Sequence, residues 1–368
     1  MRVLWLTKGL GPGGAERLLV EQAAARGAGV EYEAAYLLPW KQHLVGELEG
    51  LGVRTHCLRV RTEADPRWLG RLAALLRARR FDVVHAHSPV SASLGRVLVR
   101  AGFRSTAFVY TEHNRWQSHH PATRALNQVT FALDDAVIAV SADVAASMTP
   151  RARARAEVIT HGIDLARVRA HRVDRDAVRA ELGVGPDEVL AVTVANLREN
   201  KRYPDLLEAA RRVVDAGAPV RFAAAGQGPL EAEIGALHDR LGLGDRFRLL
   251  GYRADARRLI AGADLFVLSS GHEGLPVAVM EAFALGVPVV ATAVGGLAEA
   301  VTDGVDGLLV EPGDPAGLAA AIVQAADPGL RSRLATGATA AGERYSAAGP
   351  VARIEAIYGE VHARRSAG

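Results

Sequence analysis

Short apolar runs alternate with amphipathic helical stretches through the first half of the chain. Each run is bounded by Gly, Pro or charged residues, which is typical of buried strands. The runs read RVLWLT, EYEAAYLL, VRTHCLRV, FDVVHAHS, FVYTEH and AVIAVS. Strands that alternate with helices in this way predict a parallel, doubly wound sheet.

A polar, irregular stretch interrupts the alternation, which then resumes with VLAVTVANL, VRFAAAG, FRLLGY, DLFVLSS, VPVVATA and GLLVEPG. We therefore expect two Rossmann-like α/β domains, over residues 1–165 and 186–348, joined by a linker at 166–185. The last helix, within 349–368, has no strand after it. We expect it to pack back on the first domain.

The residues that directly follow the strands are the first candidates for a site. In open α/β sheets, ligands bind beyond the carboxyl ends of the strands. Two such sheets that face each other would form a cleft. The predicted fold class is therefore α/β, with two doubly wound parallel sheets facing a cleft.

Composition narrows the class of protein. The chain has 368 residues, of which 49% are apolar and 23% charged, as in a folded globular protein with ordinary cores. No apolar run reaches the roughly 18 residues of a membrane span, and the start has no signal-peptide pattern. Cys57 is the one cysteine, which excludes an intrachain disulfide. We expect a cytoplasmic enzyme.

The charge gives no reason to expect a nucleic-acid partner. The formal net charge is +3, and no RNA- or DNA-binding motif is present. The basic runs RLAALLRARR and PRARARAEV suit either a solvated surface or a peripheral contact with anionic lipid or an acidic acceptor. The sequence leaves both interpretations open, and the oligomeric state as well.

A glycine loop follows the first strand. Gly9, Gly11 and Gly14 match the G-x-G-x-x-G pattern of dinucleotide-binding turns. That pattern also requires a carboxylate at the end of the second strand, and this strand ends AAYLLPW. NAD is therefore not expected. The glycines either bring backbone N–H groups of the next helix to an anion or only shape a tight turn.

The stretch SSGHEGLPVAVMEAFALGVPVVAT is the most specific in the chain. Glu273 follows a predicted strand, and Glu281 lies two turns into the next helix, after Pro276 near its first position. Apolar neighbours predict that neither carboxylate faces open water, and buried carboxylates need partners. Sugar and ribose hydroxyls are suitable partners, because an ionised carboxylate only accepts hydrogen bonds.

This stretch resembles the motif of the retaining glycosyltransferases of family 4, which have the GT-B fold. The seven residues between Glu273 and Glu281 reproduce that family's Glu-x7-Glu spacing. The resemblance covers nearly the whole chain, in the order GGAERL, DVVHAHS, TEHN, AVSADV, HGID, ANLRENKRYPDLLEAA, AGQGPL and LLGY. It implies a nucleotide-sugar-dependent transferase.

The resemblance also implies roles for residues of the second domain. Glu281 would bind the nucleotide ribose, Glu273 the hydroxyls of the donor sugar, and Lys201 the diphosphate. The backbone at the start of the helix would face the sugar or its diphosphate, because partial positive charge gathers there. These backbone positions are Gly274, Leu275, Pro276 and Val277.

Some positions depart from the family pattern. Family members usually have an arginine five positions before the lysine, where this chain has Asn196. Either Arg198 replaces that arginine, or the phosphate site relies on Lys201 and the helix ends. Tyr252 ends the nucleotide-side segment LLGY and is assigned to the donor site. His161 replaces the usual asparagine of the linker motif.

In the first domain, the resemblance assigns Gly13 and Gly14 to the diphosphate or the acceptor. His113 matches the histidine that family members place beside the reacting sugar; the other interpretation is a structural histidine. His85 and His87 follow another strand end and rank below His113. Two further histidines fall in the expected acceptor loop, at His119 and His120.

The implied reaction transfers a hexose or N-acetylhexosamine from a nucleoside diphosphate sugar, UDP-linked by family preference, with retention at the anomeric carbon. No cofactor or metal is expected, since Asp174 and Asp176 read as solvated linker charge. The acceptor is open among small molecules, lipid-linked glycans and polysaccharides. Two alternatives remain: a nucleotide-sugar 2-epimerase or hydrolase, which would release an epimer or free sugar without acceptor, and a non-catalytic sugar-nucleotide-binding subunit.

Overall fold

The computed structural model describes residues 1–366, apart from the side chains of Val173 and Asp174. The chain forms two compact units. The first consists of residues 1–162 and the segment from 347 onward, and the second of residues 163–346. The first unit is thus built from both ends of the chain. Along the described residues, no helix combines the length and the hydropathy of a membrane-spanning segment.

The first unit contains a seven-stranded parallel sheet in the order β3-β2-β1-β4-β5-β6-β7. Its strands are β1 (Arg2–Thr7), β2 (Glu31–Tyr36), β3 (Arg54–Cys57), β4 (Val83–Ala86), β5 (Ala107–Glu112), β6 (Ala136–Ala139) and β7 (Ala156–Val158). Its helices are α1 (Gly14–Ala24), α2 (Val45–Gly50), α3 (Arg67–Arg79), α4 (Pro89–Gly102), α5 (Pro121–Thr130), α6 (Ala142–Ser147), α7 (Pro150–Arg153) and, at the far end of the chain, α17 (Ala348–Ser366).

The first sheet has a core on each face, because successive side chains of a strand point to opposite sides. On β1, Leu4 and Leu6 belong to one buried cluster and Val3 and Trp5 to the other. Helix α17 completes the second cluster, with Ile354, Ile357, Tyr358 and Val361. Helices on both faces of a parallel sheet confirm the doubly wound class.

The second unit contains a six-stranded parallel sheet in the order β10-β9-β8-β11-β12-β13. Its strands are β8 (Val189–Val194), β9 (Val220–Ala225), β10 (Phe247–Leu249), β11 (Leu265–Leu268), β12 (Val289–Thr292) and β13 (Gly307–Val310). Its helices are α8 (Leu165–Arg169), α9 (Arg175–Glu181), α10 (Tyr203–Asp215), α11 (Glu231–Arg240), α12 (Ala256–Ala261), α13 (Val277–Leu285), α14 (Gly295–Ala300), α15 (Pro315–Ala326) and α16 (Pro328–Gly342).

Helix α13 is buried along almost its whole length. Its sequence, VAVMEAFAL, is apolar on every face, which is the pattern of a helix enclosed by other elements. The helix ends at Gly286, whose φ of 79° is the left-handed conformation common after a helix. Glu281 is therefore carried on a rigid, fully packed element.

The segment 166–185, predicted as a linker, belongs to the second unit. Its helix α9 buries Val178 and donates hydrogen bonds from Arg175 and Arg179 to Asp264, both at 2.6 Å. The sequence predicts a linker with solvated charge at Asp174 and Asp176, whereas Arg175 and Arg179 of this segment pair with a carboxylate of the same unit. Asp176 lies on α9, whereas the side chain of its predicted companion Asp174 is outside the described part.

Each sheet has one point at which the strand order reverses, between β1 and β4 in the first and between β8 and β11 in the second. Loops that follow the two strands at such a point diverge to opposite faces of the sheet and leave a crevice, where ligands of this fold class bind. The segments after β8 and β11 contain Lys201 and Glu273.

Candidate functional site

An ion pair joins the loops that follow β8 and β11. Lys201 Nζ contacts Glu273 Oε1, and Ser270 Oγ donates a hydrogen bond to the same oxygen at 2.7 Å. The lysine side chain is 16% exposed and the glutamate side chain 9%. The structure thus brings two predicted site residues together in a largely buried position. Ser270 is a further member that the sequence analysis missed.

Backbone hydrogen bonds fix these two loops against each other. Gly271 N donates to Asn200 O at 2.8 Å, and Ser269 Oγ donates to Lys201 O at 2.8 Å. Thr292 Oγ1, at the end of β12, donates to Ser270 O at 2.5 Å. Lys201 is therefore held in place by its own backbone as well as by Glu273.

The start of α13 presents backbone N–H groups next to Glu273. Pro276 caps the helix without a side-chain hydrogen bond, and residues 274–276 are partly exposed. A Cβ on Gly274 would meet no heavy atom within 4 Å, so space is open there. An uncapped helix start with open space beside it suits a negatively charged group.

Two glycines at the start of α14, Gly295 and Gly296, allow the loop that contains Glu273 to pack closely against that helix. Gly296 N donates to Glu273 O at 3.1 Å. A Cβ on Gly295 would collide with the carbonyl of Glu273, and one on Gly296 with the carbonyl of Gly274. Gly295 also has a φ of +46°. No role was predicted for this pair from the sequence.

Glu281 has a charged partner on a neighbouring helix. Arg257 Nε, on α12, donates to Glu281 Oε1 at 2.7 Å. The two side chains are 10% and 7% exposed. Burial of both glutamates is as predicted, and the partner of Glu281 in this structure is an arginine that no sequence motif indicated.

Three other predicted donor-site residues lie at the carboxyl ends of strands of the same sheet. Asn196 and Arg198 follow β8; the first is half-buried and the second exposed. Lys201 N donates to Arg198 O at 3.0 Å, so the backbone of Arg198 adjoins the lysine. Tyr252 follows β10 and is 41% exposed.

In the first unit, the glycine loop leads from β1 into α1. Gly13 is the N-cap of α1 and provides no side-chain hydrogen bond; Gly14 is exposed. A Cβ on Gly13 would collide with the carboxylate of Glu16, which lies over the turn. That carboxylate is the far end of a flexible side chain and can move aside, so sterics alone do not require glycine at position 13.

Four histidines, which we call the histidine row, lie side by side near the carboxyl ends of β4, β5 and β7: His85, His87, His113 and His161. Adjacent ring centroids are 4.1, 5.4 and 5.8 Å apart along the row. His87 Nδ1 and His113 Nε2 lie within hydrogen-bond distance, at 3.1 Å. The structure thus brings His113 together with the two histidines that the sequence ranked below it, and with His161.

Burial keeps the histidine row neutral. It lowers the pKa of His113 to about 3 and that of His161 to about 4, since a charged ring would lose its hydration. Burial, reinforced by the neighbouring rings, holds the pKa of His85 and of His87 well below the usual value. At neutral pH, each ring of the row therefore has one N–H donor and one bare nitrogen acceptor.

The loop after β5 is organised by a buried carboxylate. Glu112 accepts hydrogen bonds from Tyr110 Oη at 2.7 Å and from Asn114 N at 3.1 Å, and it pairs with His119 at 3.1 Å. His120 Nδ1 accepts from Ala122 N at the start of α5. His119 and His120, predicted in an acceptor loop, thus have structural contacts, and Glu112 is a residue that the sequence analysis missed.

Among the described residues, no group of three or more His, Cys, Asp or Glu side chains is arranged to bind a metal ion.

Two family models match the chain. One, described as "Glycosyltransferase Family 4", matches residues 12–167, and the other, described as "Glycosyl transferases group 1", matches residues 188–327. Each match thus lies almost wholly within one of the two units.

Similar proteins have related names. D-inositol 3-phosphate glycosyltransferase 1 of Catenulispora acidiphila is 32% identical over 326 residues, which cover 80% of this chain and 76% of that protein. EpsD of Bacillus subtilis, named as a glycosyltransferase, is 29% identical over 318 residues, which cover 81% of this chain and 82% of that protein. The crystal structure of Anabaena HepE in complex with UDP and glucose aligns with a TM-score of 0.83 at 23% identity, covering 98% of this chain and 100% of that one.

The two-sheet fold and these matches define a glycosyltransferase with the GT-B fold. The chain belongs to the group 1, or family 4, glycosyltransferases.

Proposed function

We propose that this enzyme transfers a hexose or N-acetylhexosamine from a nucleoside diphosphate sugar, UDP-linked, to a hydroxyl group of its acceptor. The transfer keeps the anomeric configuration and needs no metal ion. The crystal structures of HepE with UDP and glucose, and with UDP-glucose, support the choice of donor. The second unit supplies the donor site, because it contains the Glu-x7-Glu pair, with Glu273 in a loop and Glu281 on α13.

The Lys201–Glu273 ion pair is the observation that best supports this proposal. It lies where the strand order of the second sheet reverses, beside the uncapped start of α13. A diphosphate there would meet a lysine cation and backbone N–H groups, and a sugar would meet a carboxylate that accepts hydroxyl hydrogen bonds.

Lys201 changes partners when the donor binds, in this proposal. In the structure its charge is shared with Glu273. A bound diphosphate takes over that charge, and Glu273 turns its oxygens to the sugar hydroxyls. The lysine then offsets the negative charge that grows on the phosphate as its bond to C1 of the sugar breaks, which is the kind of electrostatic stabilisation that contributes most to catalysis.

The bond changes of the reaction balance without a further reactant. The bond between C1 and the phosphate oxygen breaks, and a bond between C1 and the acceptor oxygen forms on the same face of the sugar. The acceptor proton passes to the departing phosphate. His113 of the first unit is assigned to the sugar as a neutral ring, in keeping with its lowered pKa.

Binding measurements on matched lysine variants test the proposal. Lys201→Met should weaken UDP binding at least tenfold, about 1.4 kcal/mol, because a cation at the phosphates is lost. Lys8→Met is the control: Lys8 is also ion-paired, with Glu63 at 2.7 Å, but lies in the first unit. We expect its UDP affinity to stay within about twofold of the unchanged protein.

A panel of nucleotide sugars then identifies the donor, since a ligand at 100 times its dissociation constant stabilises the protein by about 2.7 kcal/mol. Transfer assays with and without EDTA complete the test. Equal UDP affinities of the two lysine variants, or activity that EDTA abolishes and magnesium restores, would contradict the proposal.

A further inference from the structure

His87 and His113 share a single hydrogen-bond contact, and its direction is set by what surrounds them. His87 Nδ1 lies 3.1 Å from His113 Nε2. Both rings are neutral at pH 7, because burial lowers both pKa values. One ring must therefore donate and the other accept. The direction decides which nitrogen of His113 has a proton.

The neighbouring ring, His85, takes no part in the hydrogen bond between His87 and His113. Its Nδ1 lies 2.6 Å from Tyr358 Oη and its Nε2 lies 2.7 Å from Thr111 Oγ1. Both nitrogens of His85 are thus occupied, and its ring meets His87 only through a tilted ring contact. His87 Nδ1 has His113 as its polar partner.

The other nitrogen of His87 indicates the direction. His87 is 8% exposed, and its Nε2 is buried without a hydrogen-bond partner among the described residues. A buried N–H without an acceptor is rarer in proteins, and costs more, than a buried acceptor left unfilled. The proton of His87 therefore belongs on Nδ1, where it can be donated to His113 Nε2.

We propose that His87 is a positioning residue that holds His113 in the tautomer with its proton on Nδ1. His113 Nε2 accepts from His87, and His113 Nδ1 makes no hydrogen bond within the described residues. The free Nδ1–H is then a donor aimed at a ligand oxygen. His113 serves the reaction as a hydrogen-bond donor to the sugar, and not as a base.

Nitrogen NMR tests the tautomer directly, without substrate. Protonated and bare imidazole nitrogens have well separated ¹⁵N shifts, and a His113→Gln variant assigns the signals of His113. In the unchanged protein we expect the proton on Nδ1. A proton on Nε2 of His113 would overturn the inference, whatever reaction the enzyme catalyses.

Variants of His87 show whether it sets the tautomer. His87→Asn keeps an amide N–H close to the place of Nδ1 and should keep the proton of His113 on Nδ1. His87→Leu removes the donor, and the proton of His113 should redistribute towards Nε2. His161→Asn is the control, because that ring lies beside His113 with no hydrogen bond between them and asparagine is the residue usual in the family. An unchanged His113 tautomer in His87→Leu would overturn the inference; if that variant does not fold, the spectra of the unchanged and Asn proteins decide.

The kinetic part rests on the proposed function. His87→Leu should lower kcat about tenfold with little change in the donor KM, and His87→Asn should recover most of it. Equal kcat values for the three proteins would contradict the role in turnover. An absence of transferase activity in the unchanged protein would instead refute the proposed function, and the NMR result would stand.

Discussion

Arg257 and Glu281 form a buried ion pair in which the guanidinium Nε donates to one carboxylate oxygen at 2.7 Å. The arginine comes from α12 and the glutamate from α13, so the pair joins two helices of the second unit. The carboxylate assigned to the nucleotide ribose is thus oriented before any nucleotide arrives. A ligand that meets a fixed carboxylate loses less conformational freedom on binding.

Removing the arginine should therefore weaken both the fold and the nucleotide site. In Arg257→Met the Glu281 carboxylate loses this buried ion pair, and breaking such a pair typically costs about 3 kcal/mol of stability. We expect UDP affinity to fall at least fivefold, about 1 kcal/mol. Arg257→Lys keeps the charge but not the Nε geometry, and should recover part of both losses. Urea unfolding and calorimetric titration with UDP measure the two effects; a Met variant with unchanged UDP affinity would refute the orienting role.

The two glutamates should differ in which kinetic parameter they control. Glu281→Gln should raise the dissociation constant for UDP, because a ribose acceptor is weakened. Glu273→Gln should mainly lower kcat, since its proposed contact is with the reacting sugar and not with the nucleotide. Initial rates over a range of donor concentrations, together with UDP titrations, separate the two. Equal and small effects of both substitutions would count against the assignment.

The glycine pair at the start of α14, Gly295 and Gly296, should tolerate no side chain. Gly295→Ala meets the Glu273 carbonyl and also has an unfavourable positive φ. Gly304 is the matched control, with a φ of +72° and open space around its position. Both substitutions carry the backbone cost, about 1 kcal/mol, and only Gly295→Ala should add about 2 kcal/mol or more through displacement of the Glu273 loop. Equal losses of stability in the two variants, measured by thermal unfolding, would show that the Glu273 loop moves aside without cost.

Acidification should destabilise the protein through the histidine row. The pKa of His161 is about 4 in the folded chain against 6.5 for an ordinary histidine. Between these two pKa values the unfolded chain binds more protons than the folded chain. The stability that the neutral His161 ring contributes is therefore complete above pH 6.5 and is lost as the pH falls. At pH 5, one such ring lowers the free energy of unfolding by about 2 kcal/mol. His161→Asn should therefore lose less stability than the unchanged protein between pH 7.5 and 5, as measured by urea unfolding, and parallel pH curves would exclude this role.

Much of the fold follows from apolar periodicity, because each buried strand is a short apolar run and each helix has a face or, in α13, a whole surface to bury. The segment 166–185 did not follow this rule. Its arginines are neutralised by Asp264, whose position depends on the folded second sheet. Local sequence holds no information about such a distant partner.

For the candidate functional site, too, the sequence could not show which distant residues meet in the fold. Ser270 lies two residues after the buried strand β11 and could have been found from that position alone. Arg257 lies in a run of ordinary helix residues, and only packing of α12 on α13 shows its partner. The histidine row required three separate segments, at the ends of β4, β5 and β7, to meet at one edge of a sheet, and only His113 was given a site role by a motif. The roles given to these residues remain proposals for the experiments above.

Helix α17 has a consequence for biosynthesis. Its side chains Ile354, Ile357 and Tyr358 fill the core in which Val3 and Trp5 are buried. A nascent chain therefore exposes that apolar face until α17 leaves the ribosome, whereas the second unit, a continuous stretch, can fold beforehand. We therefore expect the second unit to complete its core before the first, although most of the first unit is synthesised earlier.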